Sequence, residues 1–199
     1  MEVLDKPLYH GRRIFLGLKD LVVSFHTQRC PFNCKFCSVK NRSTPNPVSV
    51  HNIIKQIDWV FNHYSKEISE FEQFSVGNEG SILDESRFPP RAFKYLLMKS
   101  RSMKSLKFLS LETRIEYIER NKMEEILQHV NCNVDVTVGF ETLDDTLRNK
   151  VLGKNLDRHH FERKLELLGD LGIRLTAYVM LKPGPTMSEE EGIDEAIRT

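Results

Sequence analysis

The sequence predicts an α/β fold in which a parallel sheet curls into a partial (β/α) barrel of about five βα units. Three observations predict it. Short runs rich in β-branched and aromatic residues alternate with stretches of helical period. A polar or Gly-rich motif follows each of five such runs, where ligands gather in folds of this class. The run at 134–140 also sets Val134, Val136, Val138 and Phe140 against Asp135, Thr137, Gly139 and Glu141. A polar face on an interior strand suits a wet or ligand-filled barrel lumen better than dry packing on both sides.

Taken in order, residues 1–17 read as an N-terminal extension and 18–199 as the core domain. Strands are expected near 21–26, 71–76, 106–111, 134–140 and 173–181 from their β-branched and aromatic content. Between them, Ile53, Ile54, Ile57, Val60, Phe61 and Tyr64 recur at helical spacing, as do Phe93, Leu96 and Leu97. The same spacing links Ile115, Ile118, Met123, Ile126 and Leu127, then Phe161, Leu165 and Leu168, with Asp157 as N-cap and Gly169 or Gly172 as the stop. A helix is expected after the fifth strand, and the chain stops inside it. A sixth strand would normally cover such a core, so the expectation is a piece of a longer chain or a fold completed by a partner subunit.

With 199 residues, 40% hydrophobic and 29% charged, the chain is an ordinary globular composition with enough length for one core. Its longest apolar runs are far short of a membrane span and the N-terminus lacks signal-peptide order, so a cytoplasmic location without membrane contact is expected. A net charge of +1 makes no case for nucleic acid. The distribution does: Arg87, Arg91, Lys94, Lys99, Arg101, Lys104 and Lys107 lie between Glu85 and Glu112 with no acid among them. That stretch is either a candidate anion-facing surface that binds phosphate or a solvated helix whose cations suit its carboxyl end.

The chemistry sits in HTQRCPFNCKFCSVK, where three of the four cysteines, Cys30, Cys34 and Cys37, fall within eight residues after the first expected strand. Three thiolates from one loop can hold three corners of an iron–sulfur cube and leave the fourth iron open. Zinc is the competitor, because Cys34 and Cys37 have knuckle spacing and His26 or Cys132 might close a tetrahedron. Structural zinc commonly recruits a second short ligand pair, and none is visible. GNEGS at 77–81 follows the second strand, ETR at 112–114 the third, Glu141 the fourth and KPGP at 182–185 the fifth. Cys132, Trp59 and Tyr64 read as packing residues, and His159 and His160 as exposed residues opening a helix.

C-x3-C-x2-C after the first strand, with Phe36 before the last cysteine, resembles the radical S-adenosylmethionine superfamily. That resemblance implies a [4Fe–4S] cluster on Cys30, Cys34 and Cys37 whose open iron chelates S-adenosylmethionine. A one-electron donor then drives its cleavage to a 5′-deoxyadenosyl radical, which takes a hydrogen atom from the substrate. By the same resemblance GNEG stands at a Gly-Gly-Glu-type turn, with Asn78 in place of the second glycine, and places Gly77, Asn78 and Glu79 beside the methionine amino group. Glu112, Arg114 and Glu141 fall where the superfamily sets polar contacts to the ribose, the methionine carboxylate or the substrate, and Lys182 is a further candidate contact.

The longer strings GNEGSILDESRFPP, GFETLDDTLRNKVLGKN and AYVMLKPGPTMSEEEGIDEAI resemble the radical subunits of archaeosine synthases and, more distantly, the radical domain of the Elongator catalytic subunit. This narrower resemblance implies action on a tRNA base, a deazaguanine in the archaeosine case. A non-catalytic cluster or zinc module, or an enzyme with a small-molecule or protein substrate, stays open beside it.

Overall fold

The computed structural model describes residues 4–199. Its elements are β1 Tyr9–Phe15, β2 Leu18–Phe25, α1 Val50–His63, β3 Gln73–Asn78, α2 Pro90–Ser100, β4 Phe108–Thr113, α3 Arg120–His129, β5 Asn133–Glu141, α4 Arg158–Asp170, β6 Arg174–Val179 and α5 Glu189–Arg198. The five expected βα units are present, from β2–α1 to β6–α5. The sheet runs in the order β1-β2-β3-β4-β5-β6, with every pair parallel except β1 with β2.

The stretch set apart as an N-terminal extension contains β1, which carries no β-branched run to announce it. Its hairpin turns through Leu16 and Gly17, both at positive φ (48° and 80°), a backbone shape whose twist matches that of the flanking strands. The third expected helix also begins later than its apolar spacing suggests. Ile115–Tyr117 forms a single 3₁₀ turn and α3 starts at Arg120. Elsewhere the local signals hold: Asp157 accepts from the His160 amide at 2.6 Å at the head of α4, and Gly172, at φ 66°, closes the turn after it.

Period-two alternation separates the sheet into two chemically opposed faces. Leu21, Val23, Phe25, Phe74, Val76, Leu109, Leu111, Val134, Val136 and Val138 point to the helices and are almost wholly buried with Ile53, Ile57, Leu96, Leu97, Met123 and Ile126. Burying each such side chain contributes about 1.5–3 kcal/mol, which makes this layer the main source of stability. The other face carries Arg13, Asp20, Gln73, Ser75, Ser110, Asp135, Thr137, Arg174 and Thr176, joined by hydrogen bonds. Tyr9 of β1 and Tyr178 of β6, at opposite edges of the sheet, line one cavity. A flat six-stranded sheet would hold its edge strands roughly 24 Å apart, so the sheet is curled and the polar face is the lumen of a partial barrel. No helix among the described residues is long and apolar enough to cross a membrane.

Candidate active site

The loop after β2 carries the three cysteines at the carboxyl ends of the parallel strands. Lys35 anchors it, donating from its amide to the Leu152 carbonyl at 2.8 Å and from Nζ to the Lys150 carbonyl at 2.9 Å. The Cys37 amide donates to the Cys34 carbonyl at 3.3 Å, folding the second half of the motif into a tight turn. Cys34 is buried, and Cys30 and Cys37 are half-buried. Burial pushes the Cys30 thiol up, while the nearby Arg114 guanidinium acts in the opposite sense.

Arg114, from the end of β4, ties the loop to the rest of the rim. Its Nη1 donates to the Cys34 sulfur at 3.6 Å, its guanidinium lies 3.6 Å from the centroid of the Phe32 ring, and its Nη2 donates to the Lys154 carbonyl at 2.9 Å. It also pairs with Glu116.

The GNEG turn approaches from β3. Asn78 carries the geometry that a second glycine would otherwise supply: its Oδ1 accepts from the Gly80 amide at 2.9 Å and its Nδ2 donates to the Ser81 carbonyl at 3.1 Å. Gly80 packs directly on Cys30, where a Cβ would stand 3.2 Å from the Cys30 Cβ and 3.4 Å from its sulfur. Glu79 is buried, accepts from the Thr27 amide at 2.8 Å and lies 3.7 Å from His26 Nε2. His26 therefore faces Glu79, an assignment its place at the end of a strand did not suggest.

β5 ends in an irregularity that builds a second feature. Glu141 sits at φ 74°, a conformation rare for a residue with a Cβ, after a register shift against β6. Its Oε1 pairs with Lys154 Nζ at 2.9 Å, both side chains being buried. A Cβ on Gly139 would land on both groups, so this glycine makes room for the pair. Lys154 Nζ also stands 5.7 Å from the ring centroid of Phe36, which is 38% exposed. Lys154 is a site residue that the sequence reading did not single out, nor did it single out the fully buried Arg148, which donates to the Thr142 carbonyl at 2.7 Å and braces the segment that carries Lys154. Only their position in the string GFETLDDTLRNKVLGKN, residues 139–155, offered a signal.

Glu112 points from β4 into the lumen beside Gly77, where a Cβ would stand 3.0 Å from its Oε2. Its side chain opens on the cavity, but the surrounding walls desolvate it and raise its carboxyl pKa, with Lys154 and Arg13 acting oppositely. Among the residues expected at the site, Arg114 meets Cys34, the turn of Gly77, Asn78 and Glu79 brings Gly80 against Cys30, Phe36 approaches Lys154 of the Glu141–Lys154 pair, and Glu112 stands against Gly77. Lys182 lies on the loop after β6, exposed, with its backbone against Gly192.

Among the described residues no three His, Cys, Asp or Glu side chains converge on a single metal ion. The chemistry of the donor set, three thiols on one loop with Gly80 against the first and Arg114 on the second, fits separate corners of an iron–sulfur cube rather than one zinc ion. Cys132 precedes β5 and lies at the amino ends of the strands, separated from the cysteine loop by a nine-residue strand of roughly 30 Å. It cannot close a zinc tetrahedron there. Of the seven cations between 87 and 107, Arg87, Lys94, Lys99 and Lys107 pair with Asp84, Glu125, Asp58 and Glu72. Among the described residues Arg91, Arg101 and Lys104 have no acidic partner.

Comparison with known proteins agrees with this geometry. An uncharacterized protein of Methanocaldococcus jannaschii is 30% identical over 185 residues, covering 90% of this chain and 50% of that protein. The archaeosine synthase subunit beta of Methanosarcina acetivorans is 24% identical over 188 residues, covering 91% of this chain and 53% of its own. The chain thus spans about half the length of these curated relatives. Among solved structures, queuine lyase from Clostridium spiroforme, bound to S-adenosylmethionine and queuine, superposes with a TM-score of 0.60 at 20% identity over 95% of this chain and 88% of that one. Coproporphyrinogen III oxidase from Escherichia coli gives 0.56 at 13% identity over 86% of this chain and 39% of its own, and both show the shared fold. The sequence profile that matches residues 24–196 spans nearly every element described above, and by it the chain belongs to the Radical SAM superfamily, whose cofactors are a [4Fe–4S] cluster and S-adenosylmethionine.

Proposed function

We propose that this chain is a radical S-adenosylmethionine enzyme that modifies a deazaguanine-type base carried in tRNA, working in a reducing, cytoplasmic compartment. One observation carries the enzymatic reading: three cysteines on the loop after β2, with Arg114 donating to Cys34 and Gly80 backed against Cys30. Cys30, Cys34 and Cys37 hold the cluster. When bound, it supplies an electron from an external one-electron donor to S-adenosylmethionine, the source of the radical.

The chain's own residues do the positioning. Gly77 and the Asn78-held turn bring Glu79 to the amino-acid end of S-adenosylmethionine, and Arg114 and the Glu141–Lys154 pair supply charges on the same rim. Phe36 covers Lys154 from the cysteine loop. Lys182, exposed on the loop after β6, is assigned to the substrate's anionic backbone. The tRNA reading draws on the relationship to the archaeosine synthase subunit and on the three unpaired cations Arg91, Arg101 and Lys104. The near-complete coverage of queuine lyase favours a second reading, in which the substrate is a free base.

Anaerobic reconstitution tests both. Brown protein with about four irons per chain should form 5′-deoxyadenosine on reduction with S-adenosylmethionine. Substrate turnover with tRNA supports the first reading, and turnover with free base alone the second. Metal retention without cleavage of S-adenosylmethionine would make the chain a non-catalytic module and end the proposal.

A further inference from the structure

We propose that Glu112 is the specificity-determining residue for the substrate, accepting from two adjacent N–H groups on the edge of a flat two-ring base held between Tyr9 and Tyr178. The inference rests on the function proposed above and deepens it by naming the edge of the base that is read.

The lumen cavity has a volume of about 150 Å³, room for one such heterocycle, and hydroxyls of Ser75, Ser110 and Thr137 line it. Its aromatic walls come from the two edge strands, with Tyr9 59% and Tyr178 47% exposed, so two rings are left open for a flat ligand. Charge then selects the ligand. Below the cavity Asp20 pairs with Arg13 at 2.7 Å, and Asp135 pairs with Arg174 at 2.8 Å while also accepting from Ser110 at 2.7 Å. These pairs cancel. Glu112 alone remains: the Ile82 amide meets its backbone carbonyl at 3.1 Å, but among the described residues no hydrogen bond reaches its carboxylate, although Arg13 and Lys154 lie within electrostatic range.

Glu112 is open to the lumen, so water solvates its carboxylate until a flat ligand displaces that water and must offer donors in its place. An anionic ligand would add repulsion. A base edge with neighbouring ring N–H and exocyclic amino groups presents the same parallel fork that makes arginine–carboxylate pairs strong, and it fits the slot between the rings. Gly77 preserves the space, since a methyl there would crowd Glu112 Oε2.

Equilibrium dialysis of the reconstituted protein with 7-deazaguanine and with 7-deazahypoxanthine, which lacks the exocyclic amino group, tests the assignment. The wild type should prefer 7-deazaguanine by about tenfold or more, the value of one charge-assisted hydrogen bond. Glu112→Gln should bring that ratio close to one. Gly77→Ala, which displaces the carboxylate without removing it, should do the same if the first variant fails to fold. Equal binding of the two bases by the wild type, or an unchanged ratio in both variants, overturns the inference. Formation of 5′-deoxyadenosine alongside either result would show that the radical chemistry stands without it. Discrimination without that product would keep the inference and reject the chemistry.

Discussion

Arg114 touches Cys34 with Nη1 at 3.6 Å from the sulfur and holds the Lys154 carbonyl with Nη2, so one guanidinium fastens the cysteine loop to the segment after β5. A lysine at this position keeps the charge but cannot span both partners. Arg114→Lys is therefore expected to lower the melting temperature, at a cost of about 1–3 kcal/mol. It should also release iron several-fold faster during anaerobic gel filtration. Iron retention equal to wild type would show that the contact does nothing for the cluster.

Removing one ligand asks a different question of the same loop. Cys34→Ala deletes a side chain on a loop at the rim, remote from the apolar layer between sheet and helices. Formation of 5′-deoxyadenosine should fall to background while the far-ultraviolet circular dichroism spectrum and the cooperative melt persist. Continued cleavage of S-adenosylmethionine by this variant would reject Cys34 as a ligand.

Glu141 and Lys154 form a buried pair, and burial makes the two groups depend on each other. Lys154→Met leaves a carboxylate without its counter-charge and should cost about 3–5 kcal/mol in chemical denaturation. Adding Glu141→Gln should recover most of that loss. Additive losses in this double-mutant cycle would mean that the pair contributes no coupling and is held by packing alone.

Much of this was legible in the sequence because its cause is local. The strands at 21–26 and 134–140 show in their alternation, α1 in its spacing, and the cysteine loop in its motif. What stayed hidden depends on partners distant in sequence. β1 has little apolar content because its lumen face reads Tyr9, Gly11 and Arg13, residues that make sense only opposite Ser24, Val22 and Asp20. Lys154 looks like a solvated cation until Glu141 is brought beneath it. The basic run 87–107 looks uniform in sequence, whereas the fold neutralises four of its seven members with acids from elsewhere.

The β1 hairpin also carries a pH response. His10 accepts or donates a hydrogen bond with the Tyr64 hydroxyl at 2.7 Å and packs against Trp59 and His63, with ring centroids 4.7 and 5.1 Å away. Desolvation, then repulsion from His63, Arg12 and Lys6, holds its pKa below the usual value of 6.5. Folding thus favours neutral His10. The associated stability is present above pH 6.5 and is lost as pH falls below it, toward the depressed folded value. His10→Gln should melt with a shallower dependence between pH 7 and 5 than wild type, although Asp5, Glu67 and Glu72 also give up their ion pairs on acidification. Trp59, the only tryptophan in the chain, reports the change by fluorescence. Identical pH profiles in the two proteins would remove His10 as the cause.

If the surface around α2 meets tRNA phosphates, the cations already held by acids should matter less than those without such partners. Arg91, Arg101 and Lys104 can each displace a counterion from the nucleic acid at no cost in broken ion pairs. Lys94 and Lys99 must first leave Glu125 and Asp58. The log of affinity should fall linearly with the log of salt, with a slope smaller by roughly 0.9 for each duplex phosphate that is no longer neutralised. Changing Arg91, Arg101 and Lys104 together to glutamine should flatten that slope clearly, and changing Lys94 and Lys99 should flatten it less. The reverse order would mean that the ion pairs of α2 open on binding, and equal slopes in all three proteins would return the segment to an ordinary solvated face.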